Sequence, residues 1–286
     1  MTQSQSANPS HDESLNYPDL GEFNTQAALR KLQREQKNIV ISCFFILSGM
    51  IASGLFEPGA ALLLALCIKR ELKRLDNISN IVNVMKTLLR EFSDENIEII
   101  PRVKVPKEET GIHQIDLFVR IPVRKVYFVL CVRKLEQTKI VFHEEKGKLM
   151  RRRKKGLKPL DPDPLEFLPS STIWIQKNKR SIFGRMSNDR RRPCARLLVL
   201  TGSTQVGKHG EELYNTFGDE KFLAPKLKSP ITIVHHDHDL CSFIRNYIKE
   251  KGKSPPNQSS QPQATRKQGH SKPSKSKQVK AKSKSG

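Results

Sequence analysis

The most apolar stretch of this chain runs from Ile39 to Ile68 and is interrupted once, by Glu57-Pro58-Gly59. Its first part, residues 39–56, carries no charge and would extend roughly 27 Å as a helix, which is close to the thickness of a bilayer core. The second part, residues 60–68, would reach only about half that length. So much apolar surface must be covered by lipid or by protein, because its exposure to water is unfavourable.

Three arrangements are compatible with this stretch. In the first, the chain turns at residues 57–59 and forms a hairpin that enters and leaves the membrane on one side, with small residues allowing the arms to approach closely. The second is one spanning helix followed by an interfacial segment, and the third is a buried helical pair in a soluble protein. The positive-inside rule favours the hairpin, with both termini and the soluble domain on the cytoplasmic side, because cations flank both arms. These cations are Arg30, Lys31, Arg34 and Lys37 before the stretch and Lys69, Arg70, Lys73 and Arg74 after it.

The chain carries a formal net charge of +22 at pH 7. Such an excess favours polyanionic partners, which are nucleic acid or the anionic lipids of a membrane. Aromatic side chains near the basic runs are sparse, so we expect contacts to the phosphate backbone that weaken with salt. The predicted nucleic-acid-binding residues are Arg151, Arg152, Arg153, Lys154, Lys155, Arg190, Arg191 and Arg192.

Composition divides the chain into four segments. Residues 1–26 are polar and contain helix breakers, which predicts a disordered N-terminus. Residues 27–75 comprise a basic helix, the hairpin and a juxtamembrane helix. Residues 76–250 form the folded domain, with a basic loop or insertion at 146–169. Residues 251–286 contain Ser, Pro, Gln and Lys but neither Asp nor Glu, which predicts a disordered basic tail.

The folded domain shows the patterns of an α/β protein. Apolar residues at helical spacing from Ile78 to Phe92 predict a helix that covers a sheet. Alternating strands and helices near the end favour a mixed sheet flanked by helices. Strands are predicted at 98–105, 113–121, 126–133, 139–143, 171–176, 196–201 and 231–235, and further helices at 211–217 and 240–250.

Two consecutive predicted strands carry the residues that suggest chemistry. Asp116 lies in HQIDLFVR, and the next strand reads VYFVLCVRK. Alternation places Cys131 and Arg133 on one face of that second strand. A helix, a strand with an Asp and a strand with two polar positions of equal parity is the order in which a restriction-nuclease-like core positions metal ligands.

These segments resemble the NERD family of the PD-(D/E)xK nuclease-like superfamily. Its members show a leading helix, a strand of the type QID and a strand of the type FVIEVK, and Gln114-Ile115-Asp116 and FVLCVR (128–133) occupy those places. The segments ARLLVLTG and ITIVHHDHDLCSFI are similar to the family's final strands and last helix. The resemblance covers roughly residues 76–250 and implies a restriction-nuclease-like fold.

The chain departs from the family's active pattern at two positions. In that pattern an Asp and a Glu hold a divalent metal, and a Lys positions the nucleophile or compensates charge. Here Cys131 stands at the Glu position, and a lone thiol is a poor ligand for magnesium. Arg133 stands at the Lys position and can bind phosphate but does not readily exchange a proton.

Three functions follow from this departure. The first is a membrane-anchored nucleic-acid-binding protein with an inactive nuclease-like domain and no cofactor. The second is a nuclease dependent on magnesium or another divalent metal, using Asp116 and a relocated carboxylate such as Glu98, Glu136 or Glu144. The third is a membrane scaffold that binds anionic lipids or protein partners. If the likeness reflects only buried strands, Asp116 is a hydrogen-bonded strand-end carboxylate and Cys131 an ordinary core residue.

Two further motifs and the cysteines are read as structural. GSTQVGK (202–208) is similar to a phosphate-binding P-loop, but His209 replaces the Ser or Thr that would bind magnesium, so we predict a flexible loop. HHDHD (235–239) is predicted to be an exposed polar turn, because neighbouring side chains of an extended segment point to opposite faces. The five cysteines are scattered without a CxxC pair, which indicates neither a zinc ribbon nor a disulfide framework.

Overall fold

The computed structural model describes residues 24–53, 58–107, 111–153, 156–178, 192–225 and 229–252. The chain divides into two compact units after Lys253, and the second unit, Ser254–Gly286, lies wholly outside the described residues. The predictions of a disordered tail and of disorder before residue 24 therefore fall outside them. Thr25 and Gln26, which the sequence assigned to the N-terminal segment, belong to the first helix.

Two long helices begin the described chain, α1 (Thr25–Ser53) and α2 (Pro58–Glu91). Asn24 Oδ1 accepts a hydrogen bond from the Ala27 N–H at 2.9 Å and caps the start of α1. Each helix continues through both an apolar and a polar part of the sequence, because no breaker interrupts it. The two helices pack against each other and are about 43 and 51 Å long at about 1.5 Å per residue.

The large apolar side chains towards the end of α1 and at the start of α2 are exposed, and we call them the apolar tip. Phe45 is 69% exposed and Ile51 is 78% exposed. In the described residues, no helix contains a segment both long enough and apolar enough to cross a membrane. The apolar tip consists of Val40, Ile41, Phe44, Phe45, Leu47, Ile51, Leu62, Leu63 and Leu66.

A seven-stranded mixed sheet lies at the centre of the folded domain. Its strands are β1 (Glu98–Lys107), β2 (Gly111–Ile121), β3 (Val126–Lys134), β7 (Cys194–Thr201), β9 (Tyr214–Phe217), β10 (Glu220–Leu223) and β11 (Thr232–His235). Their order is β1-β2-β3-β7-β11-β10-β9. Strands β3, β7 and β11 run parallel, and the other neighbours are antiparallel. The predicted α/β class with a mixed sheet is confirmed.

A second, four-stranded sheet follows the order β6-β5-β4-β8. Its strands are β4 (Lys139–His143), β5 (Lys148–Arg153), β6 (Gly156–Pro159) and β8 (Gln205–Val206). The predicted loop or insertion at 146–169 is therefore corrected, because its basic run pairs on both sides as β5. Residues 202–208, predicted as a flexible loop, include β8, which pairs with β4.

Helices cover both faces of the central sheet. One face packs against α1, α2 and α4 (Leu240–Lys251), and the other packs against α3 (Pro164–Asn178) and the second sheet. Side chains of β3 alternate between the two cores, with Phe128 and Leu130 in the first and Val129 and Cys131 in the second. This double burial explains why β3 reads as a continuous apolar run.

For two segments of the chain, the predicted type of secondary structure is wrong. Residues 171–176, predicted as a strand, lie inside α3, because Leu168, Thr172 and Ile175 are buried at helical spacing. Residues 211–217, predicted as a helix, form a 3-10 turn, Glu211–Leu213, followed by β9. Pairing with β10 overrides the local helical preference of that segment.

Candidate functional site

Asp116 and Arg133 meet where β2 and β3 pair, as the sequence predicts. The register pairs Leu117 with Leu130 in an antiparallel ladder, which places Asp116 opposite Cys131. Arg133 Nη1 donates a hydrogen bond to Asp116 Oδ2 at 2.9 Å, and the Val132 N–H donates to the same oxygen at 2.7 Å. The carboxylate is therefore held by two donors from one neighbouring strand.

Burial changes the pKa values of Asp116 and of the neighbouring Cys131 thiol. Burial raises the pKa of the Asp116 carboxyl above its ordinary value, while the charge of Arg133 and the hydrogen bond from Val132 oppose this shift. Burial also raises the pKa of the Cys131 thiol, which donates a hydrogen bond to the Asp116 carboxylate. Cys131 is consequently a neutral thiol at pH 7 and is not activated as a nucleophile.

The Arg133 guanidinium is anchored on three sides. Besides Asp116, Nη1 also donates to the Val132 carbonyl oxygen at 2.8 Å. The guanidinium carbon lies 5.9 Å from the centre of the Phe167 ring, within the range of a cation–π contact. With 21% of the side chain exposed, Arg133 presents a fixed cation at the protein surface.

A cleft of about 610 Å³ opens beside this pair, and we call it the Arg133 cleft. Side chains of α2 line one side of it, the ends of β2 and β3 line another, and residues 160–162 with Phe167 line the third. Cations outnumber carboxylates among the lining residues. The cations are Arg70, Lys73, Arg74, Arg133, Lys134 and Arg151, and the carboxylates are Asp76, Asp116 and Asp161.

Sequence reasoning missed most of this lining. The sequence indicates Arg70, Lys73 and Arg74 only as flanks of the apolar stretch, but these α2 cations also line the cleft. The sequence does not predict that Asp161 lines the same cleft as Asp116, because the two residues belong to different segments of the chain. Lys134 ends β3 next to Arg133, and its Nζ lies 2.8 Å from Asp76 Oδ1.

The predicted basic residues separate in the structure. Arg151 lines the Arg133 cleft, whereas Arg152, also on β5, is exposed and does not line it. Arg192 is half-buried and donates to the Tyr127 hydroxyl at 3.3 Å, away from the cleft. The side chains of Arg153, Lys154, Lys155, Arg190 and Arg191 lie outside the described residues.

The three carboxylates considered as relocated ligands do not line the Arg133 cleft. Glu98 forms an ion pair with Arg120, and Glu136 lies 3.2 Å from Lys134. Glu144 begins a 3-10 turn after β4. Across the described ranges, no three His, Cys, Asp or Glu side chains are grouped so that they could hold a metal ion.

A second pocket of about 470 Å³ adjoins the cleft, and we call it the His236 pocket. His236 Nε2 lies 3.1 Å from Thr87 Oγ1, and Nδ1 lies 3.0 Å from Asp237 Oδ1. The His235 N–H donates to Asp239 Oδ2 at 3.0 Å. The predicted turn at HHDHD is confirmed, but its predicted exposure holds only in part, because His235 and His236 are half-buried. The pocket is lined by Asn80, Asn83, Lys86, Thr87, Lys134, Thr201, Gly202, His236 and Asp237.

The GSTQVGK segment has no P-loop geometry. Gly202 adopts a left-handed backbone with φ of 64°, and the chain then enters β8 and a 3-10 turn instead of a long helix. His209 Nε2 accepts a hydrogen bond from the Phe142 N–H at 2.8 Å. Burial lowers the pKa of His209, which agrees with a neutral ring in this role.

The Arg133 cleft thus combines an anchored guanidinium, several further cations and a carboxylate that already accepts two hydrogen bonds. Such a set is suited to binding an anionic group, whereas metal-assisted hydrolysis requires oxygen ligands that converge on one ion. Comparison of the chain with protein-family models, curated proteins and solved structures found no match.

Proposed function

We propose that this protein is a membrane-anchored nucleic-acid-binding protein, and that the Arg133 cleft holds the phosphate backbone without cleaving it. The observation that carries the proposal is the charge of the cleft. Two of its carboxylates are already paired, Asp116 with Arg133 and Asp76 with Lys134. Arg70, Lys73 and Arg151, together with the Arg133 donors that Asp116 does not use, would attract phosphates and release their condensed counterions.

Arg133 is the central phosphate-binding residue of this proposal. A guanidinium offers a planar fork of donors that matches phosphate oxygens, and it stays protonated throughout the physiological range. Its contacts with Asp116 and the Phe167 ring hold it in place before a ligand arrives, which reduces the entropy lost on binding.

The residues at the catalytic positions support binding without hydrolysis. The sequence resembles a NERD-type nuclease-like domain, but the buried Cys131 thiol occupies the place of the second acidic ligand. Oδ2 of Asp116 already accepts hydrogen bonds from Arg133 and Val132. A metal at Asp116 would lie beside a guanidinium, and the repulsion between two cations would oppose its binding.

The apolar tip supports the membrane part of the proposal. Phe44 and Phe45 on α1 and Leu62 and Leu63 on α2 form an exposed patch with neighbouring apolar side chains. Patches of this kind mark a membrane or protein contact. Cations lie on both sides of the tip and match the anionic lipids of a cytoplasmic leaflet. We therefore propose that the apolar tip inserts into a bilayer from its cytoplasmic side.

Binding of labelled oligonucleotides to the full chain, measured by fluorescence anisotropy over a range of salt concentrations, tests the proposal. Arg70 and Lys73 are exposed residues of the cleft, so their substitution should leave the fold intact. The double variant Arg70→Gln/Lys73→Gln should bind at least tenfold more weakly. Its salt dependence, as the slope of log K against log salt, should fall by about 1 to 2, the value for one or two lost phosphate contacts.

The matched control is Lys146→Gln/Lys249→Gln, which removes the same charge at exposed positions outside the cleft. It should bind nearly as tightly as the native chain. Equal losses in the two variants would overturn the cleft assignment. Binding of anionic vesicles in preference to oligonucleotides, with full competition between the two, would instead favour the membrane scaffold.

One observation favours a second candidate, a metal-dependent nuclease. Asp161 and Asp76 line the same cleft as Asp116, so this candidate would use one of them as its second carboxylate. This candidate predicts cleavage of an oligonucleotide in magnesium or manganese that Asp116→Asn and Asp161→Asn both abolish. The binding proposal predicts no cleavage at any metal concentration.

A further inference from the structure

The Arg133 cleft and the His236 pocket form one groove. They share Asn80 and Lys134, one from each side. Along α2, the lining residues extend without a gap from Arg70 through Asn80 to Thr87. This span corresponds to about 26 Å at about 1.5 Å per residue.

The α2 side of the groove has a cationic end, formed by Arg70, Lys73 and Arg74, and then a row of amides. The amides are Asn77, Asn80 and Asn83, spaced three residues apart; in the lining Asp76 precedes them, and Lys86 and Thr87 follow them. Residues at this spacing lie on one face of a helix. The opposite face of the helix is buried against the sheet, so the amides form a polar row that the core does not require.

The other side of the groove is the carboxyl edge of the three parallel strands. Lys134 ends β3, Thr201 ends β7, and His236 directly follows β11. All three residues line the groove. Open α/β sheets bind ligands at this edge, because the loops after parallel strands meet there.

We infer that this groove binds one unpaired strand of nucleic acid, with phosphates at the cationic end and base edges along the amide row. The inference rests on the proposed function and specifies its ligand. An amide both donates and accepts hydrogen bonds, as base edges do. In a duplex the Watson–Crick edges are occupied by the partner strand, so only an unpaired strand offers them to Asn77, Asn80 and Asn83.

The dimensions of the groove support a single strand. The two parts of the groove, of about 610 and 470 Å³, lie along about 26 Å of α2. The length accommodates roughly four to eight nucleotides. The described lining carries two aromatic rings, Phe167 and His236, so bases would be held by their edges more than by stacking.

Anisotropy titrations of the full chain with an oligonucleotide of about twelve nucleotides, unpaired or as a duplex of the same sequence, test the inference. The unpaired strand should bind at least tenfold more tightly than the duplex. Asn77→Ala/Asn83→Ala, at two exposed positions, should weaken single-strand binding about three- to tenfold. It should leave duplex binding and the salt slope unchanged. DNA and RNA strands are compared in parallel.

The matched control is Ser79→Ala/Gln205→Ala, which removes two polar groups outside the groove and should bind like the native chain. Equal affinity for duplex and single strand, or an unchanged affinity of Asn77→Ala/Asn83→Ala, would overturn the inference. If the single-strand inference failed in this way but Arg70→Gln/Lys73→Gln still weakened binding, the proposed function would stand. If no oligonucleotide bound, or that variant bound normally, the proposed function itself would fail.

Discussion

Arg133 and Asp116 form an ion pair of 2.9 Å at the wall of the Arg133 cleft, in which only 3% of Asp116 is exposed. Removing one member of a buried pair leaves the other without a partner and costs more than the pair itself contributes. An isosteric change that keeps the hydrogen bonds costs much less. Comparing a truncation of Asp116 with an isosteric substitution therefore separates the structural role of the pair from a catalytic one.

We predict that Asp116→Ala lowers the free energy of unfolding by about 2 to 4 kcal/mol. The substitution removes the acceptor for both the Val132 N–H and the Arg133 guanidinium. Asp116→Asn retains an acceptor oxygen and should lose less than half as much. Urea denaturation followed by circular dichroism measures both values, and equal losses would contradict this account of the pair.

Stability should depend on pH through Asp116. Because burial raises its pKa above the ordinary 3.8, the protonated form is favoured by folding. Its contribution to stability is complete below the ordinary pKa and is lost as pH rises through the raised value. The native chain should therefore lose stability relative to Asp116→Asn as pH rises from the ordinary pKa of 3.8 through the raised value. Urea denaturation across this range checks the sign, and an opposite trend would show a lowered pKa.

Glu35 on α1 connects the helical pair to the central sheet through two ion pairs. Its two carboxylate oxygens accept hydrogen bonds from Arg74 on α2 and Arg102 on β1, both at 2.7 Å. We expect Glu35→Gln to lower the free energy of unfolding by about 1 to 2 kcal/mol at pH 7. The exposed pair of Glu250 and Lys251 provides the control, since Glu250→Gln should cost almost nothing.

The loss at Glu35 should shrink in acid. Burial works against the charge of Glu35, but Arg102 and Arg74 outweigh it and lower its pKa below the ordinary 4.5. The stability that it contributes is therefore present above the ordinary pKa and disappears as pH falls through the lowered value. Repeating the denaturation at decreasing pH should narrow the difference in stability between Glu35→Gln and the native chain once the pH falls below the ordinary pKa of 4.5, and a constant difference would exclude the ionic contribution.

Cys67 provides a probe of the apolar tip, because it is exposed on α2 beside Leu66. A dye on Cys67 should be quenched by lipids with brominated acyl chains when the full chain is reconstituted into vesicles. The same dye on Lys249→Cys, in a Cys67→Ser background, should not be quenched, since Lys249 lies on α4 of the folded domain. Equal quenching of the dye at both positions would contradict insertion of the apolar tip.

Much of the site could be predicted because its central part is local. Strands β2 and β3 are joined by a short turn, so the pairing that brings Asp116 to Arg133 follows from two apolar runs and their alternation. The helical stripe of α2 from Ile78 to Phe92 was recognisable for the same reason. Residues 171–176 and 211–217 were assigned wrongly because tertiary burial and strand pairing decided between two weak local preferences.

The sequence by itself determined the α/β class, the apolar segment, the charge excess and the pairing of the Asp116 strand with the Arg133 strand, because each depends on patterns within one or two neighbouring segments. Only the tertiary structure decided that Arg70, Asn80 and His236 line one groove. His236 lies far along the chain from Arg70 and Asn80, which both belong to α2. They meet because packing of α2 along the ends of the parallel strands buries the apolar stripe of the helix and leaves its polar row at the groove.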